Sequence, residues 1–166
     1  MAPRVSDAIK EDHRELEQYY ERITQSSDQD EQTRYQNLFT WELARHSIGE
    51  ELVKEQLKKF QNLKASDADF IPTLEALMKD LAPHIKEEES TDLPALEEAL
   101  SPEESEKLSK SFGRTKMFVP SRSHPSAPSK PPYETAVGLL AAPIDHLADL
   151  FRKWPDTSTM PNPSTE

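Results

Sequence analysis

Phe39, Leu43, His46, Glu50, Val53, Leu57 and Phe60 follow one another in alternating steps of four and three. Steps of that kind keep every member on one face of an α-helix, because 3.6 residues make a turn. The run crosses "ARHSIGEELVKEQLKKFQ" without a slip in phase, and no proline or turn dipeptide interrupts it before "NLKASDADFIP". Its single weak residue is Gly49, at a cost of about 1 kcal/mol relative to alanine. The spacing therefore predicts one continuous helix over residues 35 to 63, a rod of roughly 40 Å. Such a rod lays the second and third helical segments end to end, so one chain cannot pack them side by side. Two chains can, if their rods cross antiparallel near Glu51, and the expectation is a domain-swapped homodimer.

The remaining chain also reads as helix. It has only three glycines, and no stretch alternates apolar and polar residues as a strand would. A first helix is expected over residues 7 to 24, capped by Ser6, with Ile9, Leu16, Tyr20 and Ile23 as its apolar stripe and His13 on that stripe. Another opens between residues 67 and 72, with Pro72 in its first turn, and carries Leu74, Leu77, Leu81, His84 and Glu88. Pro83 removes one hydrogen-bond donor and is expected to bend that helix just before His84. "SPEE", residues 101 to 104, is a capping box for a short helix that Gly113 is expected to end. The resulting organisation is a helical bundle over residues 1–112, then a proline-rich connector and C-terminal helical extension over 113–154. Residues 155–166 read as a disordered tail.

Composition narrows the function classes. A formal charge of −11 argues against nucleic acid and anionic membrane surfaces as partners. The opening "MAPRVSDAIKEDHREL" lacks the apolar core of a signal peptide, and the longest apolar run, "VGLLAAPI", cannot span a bilayer. A cytoplasmic protein is expected. The hydrophobic share is only 34% and the mean hydropathy −0.81, which suits a chain that is part tail or shares its core with a partner. With no cysteine, disulfides, thiolate metal sites and cysteine nucleophiles are excluded together.

Polar residues interrupt three apolar stripes: His13, the pair His46 and Glu50, and the pair His84 and Glu88. Each pair is H-x-x-x-E, one helical turn apart, so both side chains reach one point beside the helix. Burying three histidines and two glutamates is costly unless a cation compensates them. Imidazole and carboxylate ligands without sulfur suit iron, manganese or zinc, and inward ligands from several bundle helices suit a non-haem iron site. Weaker candidates are Glu17, one turn after His13, and His124 in the proline-rich connector. Beside them, His146, Asp145 and Asp149 read as an exposed helix face. Tyr19 or Tyr20 could line a pocket, with Tyr20 the expected core residue, while Trp41 and Phe112 are assigned to packing.

"EDHREL", "ELARHSIGEEL" and "FIPTLEALMKDLAPHIKEEESTDLPALEEAL" resemble the hemerythrin-like, HHE cation-binding family over most of residues 6 to 100. The stretch from "RTKMFVPSRSHP" to "FRKWPD" resembles the C-terminal extension of its fungal members. The resemblance implies a four-helix bundle around a carboxylate-bridged pair of irons. It also implies one of several functions: reversible oxygen binding, oxygen or nitric-oxide sensing, iron handling or peroxide chemistry. Carried over by motif, His13 and His46 are ligands from the first and second helices. Glu50 and Glu88 are the bridging carboxylates, and His84 is the fourth-helix ligand of the other metal. One departure stands out. Family members have further chain between "GEEL" and "VKEQLKKFQ" that supplies the third-helix ligands, and here it is absent. One metal position then keeps His13, His46, Glu50 and Glu88, while the other keeps His84 and the shared carboxylates alone. The expected function is metal binding with oxygen, peroxide or a similar small ligand. The alternatives are a metal-depleted scaffold of the same fold, or an oxidoreductase on a small organic substrate.

Overall fold

The structure, a computed structural model, describes residues 3–46, 51–116, 121–122 and 144–155. Among the described residues the main helices are, in order, α1 (Val5–Gln25), α2 (Gln29–His46), α3 (Glu51–Gln61), α4 (Phe70–Glu87), α5 (Leu93–Ala99) and α6 (Pro102–Lys116), and residues 144–149 form a further short helical stretch. A π-helical segment, Glu88–Asp92, joins α4 to α5. No strand occurs among the described residues, and none of their helices is long and apolar enough to cross a membrane. α1 packs on α2, α2 on α3, α3 on α4 and α4 back on α1, which closes a four-helix bundle; α6 lies against α1. The chain is all-α, as its periodicity requires.

The pairing of α2 with α3 corrects the continuous rod. A straight helix would hold Gln36 and Phe60 about 36 Å apart. Instead the Gln36 amide donates to the Phe60 carbonyl at 2.9 Å and to the Leu63 carbonyl at 2.8 Å. The Phe39 and Phe60 rings meet edge to face, with centroids 6.0 Å apart. α2 and α3 therefore lie side by side within one chain. The join, residues 47–50 with Gly49 and Glu50, lies outside the described residues. Both halves keep the 4–3 spacing because both turn the same kind of face into one core: Phe39, Leu43, Val53, Leu57 and Phe60 are all buried. Such a stripe reports which face is buried, not whether the helix carrying it is unbroken.

Two stripes sit differently from expectation. On α1 the buried aromatic residue is Tyr19, not Tyr20. On α4 the apolar line runs Leu74, Leu77, Leu81 and Ile85, and His84 is exposed beside it. α4 passes through Pro83, and the irregularity in its backbone comes later, as the π segment.

Helix ends show where tertiary contacts override local signals. α1 begins before Ser6, and Ser6 does not cap it. The Val5 amide donates to Ser105 Oγ at 3.1 Å and the Ser6 amide to Glu97 Oε1 at 3.1 Å, so α5 and α6 supply the cap. The "SPEE" box does form: the Ser101 amide donates to the Glu104 carboxylate at 2.9 Å and the Glu104 amide to Ser101 Oγ at 3.3 Å. α6 does not stop at Gly113 but continues to Lys116, whose side chain is anchored in the bundle.

The described end of the chain docks on α2. Arg34 donates to the Trp154 carbonyl at 2.7 Å and Asn37 to the Lys153 carbonyl at 3.0 Å. Trp154 is buried with the main core. Asp145 and Asp149, expected on an exposed face, are buried; Asp149 accepts from Ser121 Oγ at 2.6 Å. The exposed side of this stretch is apolar instead, with Ile144, Leu147, Leu150 and Phe151 at the surface. The sequence-predicted tail from 156 onward, and the connector residue His124, lie outside the described residues.

Candidate metal centre

His13 comes from the middle of α1, a position its apolar spacing turns inward, and is fully buried. His46 is the last residue of α2. Glu88 and Glu89 open the π segment. A π turn holds one more residue than an α turn, and such turns occur often at functional sites. Here it lets two successive glutamates reach the same imidazole: His13 Nε2 lies 3.1 Å from Glu88 Oε2 and His13 Nδ1 lies 2.8 Å from Glu89 Oε1.

The two imidazoles share one orientation rule. His13 Nδ1 faces Glu89, and His46 Nδ1 faces Asp12 Oδ2 at 3.1 Å. Each carboxylate accepts the Nδ1 hydrogen, which leaves both Nε2 atoms to converge, 3.1 Å apart. Glu88 Oε2 lies 4.0 Å from the His46 Nε2 as well. Two bare nitrogen lone pairs at that distance repel, so the gap calls for a proton or a cation. Two imidazoles bound at adjacent positions of one divalent ion, each at about 2.1 Å, stand roughly 3.0–3.4 Å apart. The observed spacing fits a metal, and the carboxylate behind each histidine is the usual support of a metal-bound imidazole.

In the metal-free chain the surrounding carboxylates favour a proton on His13. Burial pushes the His13 pKa down, but hydrogen bonds to Glu88 and Glu89 outweigh it, and the net shift is upward. The Glu88 carboxyl is held below its usual range, chiefly by the hydrogen bond from His13.

Behind this group lies a second polar cluster. Asp12 Oδ2, the oxygen that faces His46, also takes an ion pair from the Lys116 ammonium. Lys116 Nζ lies 2.8 Å from Glu42 Oε1. The ligand atoms of Asp12, Glu15 and Glu42 come within 4.8 Å of one another. Burial, with Glu42 and Asp12 close by, pushes the Glu15 carboxyl up to about 7.

Of the five sequence candidates the structure gathers three, His13, His46 and Glu88. Glu50 lies outside the described residues, and His84 is exposed, outside this group. Glu17 pairs with Arg14. His146 is partly buried, its Nε2 enclosed without a hydrogen-bond partner. Sequence reasoning missed Asp12, Glu42, Glu89 and Lys116. Asp12 and Glu89 adjoin ligand candidates, and Glu42 lies one turn before His46 on α2, so their neighbours gave a usable signal. Lys116, seventy residues beyond α2, gave none.

No family model matches the chain, and no solved structure matches it. An uncharacterized hemerythrin-like protein of Schizosaccharomyces pombe is 50% identical to it, over 92% of this chain and 88% of the relative. That alignment spans 179 positions, more than the 166 residues present here, so the relative carries residues that this chain lacks. With half of its residues shared along nearly its whole length, and a His/Glu group inside an all-α bundle, the chain belongs to the hemerythrin-like family.

Proposed function

We propose that the chain binds one divalent metal ion, iron in the first instance, between His13, His46 and Glu88, and that Glu50 completes the set. The observation that carries this reading is the convergence of two Nε2 atoms and one carboxylate oxygen, each histidine backed by its own carboxylate. The exposed position of His84 favours one ion over two. Manganese and zinc suit the same donors. Three or four protein ligands leave coordination positions open, and the half-exposed Glu88 edge gives a small ligand such as oxygen or peroxide a way in. A metal there supplies Lewis acidity and, if iron, electrons. The protein holds the imidazoles in register and keeps bulk water off the buried side. Reversible oxygen carriage, which the family resemblance ties to paired irons, is not expected of a single-ion site.

Anaerobic loading with ferrous iron, desalting and metal counting test the reading. Close to one ion per chain is expected, falling by most of its value in His13→Ala and Glu88→Ala. Two tightly held ions, or a metal content that neither substitution changes, would overturn it. Exposure of the loaded protein to oxygen should give no visible band that disappears again under vacuum.

A further inference from the structure

We infer that Lys116 is a positioning residue for the metal centre, holding His46 in its binding orientation through Asp12. The inference rests on the metal reading above, and it places a residue of the last turn of α6 in the machinery of a site built on α1, α2 and the π segment.

One carboxylate oxygen carries the link. Asp12 Oδ2 faces His46 Nδ1 at 3.1 Å and takes the Lys116 ammonium at the same time. Lys116 is itself fixed from three sides. Its ammonium lies 2.8 Å from Glu42 Oε1 and 5.0 Å from the centre of the Phe112 ring. Its backbone carbonyl accepts from Arg45 Nε at 3.2 Å. Arg45 is held in turn by the Trp41 ring, with the guanidinium carbon 3.8 Å from its centre. Little of the Lys116 side chain is exposed.

The electrostatics say why a cation is needed there. Asp12 and Glu42 are both buried, and burial disfavours two carboxylates so close together. The Lys116 ammonium contacts both of them, so one cation serves the Asp12 and Glu42 carboxylates together. Without the ammonium the two neighbouring carboxylates repel each other and are pushed apart. A displaced Asp12 no longer accepts the His46 Nδ1 hydrogen, and the contact that holds the ring from behind is lost. Groups that orient a metal-bound imidazole typically change metal affinity by about 10- to 100-fold.

The full-length protein is tested as wild type, Lys116→Met, Lys116→Arg, Asp12→Asn and the Lys116→Met/Asp12→Asn double variant. Ferrous iron affinity and the visible spectrum of the cobalt(II)-loaded form are read beside the thermal stability of the metal-free form. The expectation is that Lys116→Met weakens iron binding about tenfold or more and alters the cobalt spectrum. Lys116→Arg, which keeps the charge, should recover most of both. The double variant should lose little more than Asp12→Asn alone, because Lys116 acts through Asp12. A Lys116→Met protein with wild-type affinity and spectrum, whatever its stability, overturns the inference while leaving the metal site intact. Additive losses in the double variant also overturn it. A wild-type protein that binds no iron or cobalt instead removes the metal reading on which it rests.

Discussion

His13 shows how much one side chain settles. It is fully buried, with Glu89 on one ring nitrogen and Glu88 with His46 at the other, so the metal-free chain keeps it protonated beyond its ordinary range. A raised pKa means that His13 contributes stability fully below its unfolded value of 6.5 and loses that contribution as pH rises through the folded value. Metal binding has the opposite dependence, since the ion must displace that proton. Iron affinity should strengthen by up to about tenfold per pH unit while His13 titrates, and isothermal titrations across the histidine range would show it. A pH-independent affinity would mean that no protonated histidine stands in the ion's place. His13, His46 and Glu88 were legible because a helix that buries an apolar stripe advertises any polar residue on it. The supporting carboxylates were not, because Asp12 and Glu89 sit one residue off those stripes. A wide π turn, which no local residue pattern announced, brings Glu89 into reach.

Among the elements, α2 and α3 show what a periodic pattern omits. The faces read from the 4–3 spacing are the faces that are buried, yet the helix it seemed to describe is two helices packed against each other. Phe60 is the clearest probe of that packing, with its ring between those of Phe39 and Phe70 at centroid distances of 6.0 and 5.2 Å. Phe60→Ala should lower the unfolding free energy by about 3–5 kcal/mol; a loss under about 0.5 kcal/mol, the level of an ordinary surface change, would mean that α3 is not docked there. α6 gives a test of opposite sign. Gly113 lies within the helix, and a Cβ placed on it would meet nothing within 4 Å. Gly113→Ala should therefore stabilise the protein by up to about 1 kcal/mol. Were glycine ending a helix there, as the sequence suggested, the same change would destabilise. α6 runs on because Lys116 and Arg45 fasten its last turn to the bundle, contacts that span about half the chain and leave no local trace.

At the scale of the whole molecule, the bundle closes within a single chain, and the described C-terminal stretch seals one side of α2 with Trp154. The all-α class and most of the buried apolar residues were legible from helical periodicity, while the four-helix bundle was implied only by the family resemblance. The path between α2 and α3 was not, because the few residues that join them continue the helical phase. A domain-swapped dimer was the consequence of an unbroken rod. With α2 and α3 paired in one chain, a monomer of 18.9 kDa is the expected species in light scattering. A stable mass of twice that value would instead indicate exchange across residues 47–50. The central claim, one ion held by both histidines and Glu88, is tested most directly by anomalous diffraction at the iron edge from crystals of the iron-loaded protein. The expected result is a single peak per chain, at about 2 Å from His13 Nε2 and His46 Nε2 and beside Glu88. Two peaks per chain, or a peak away from these three residues, would contradict it.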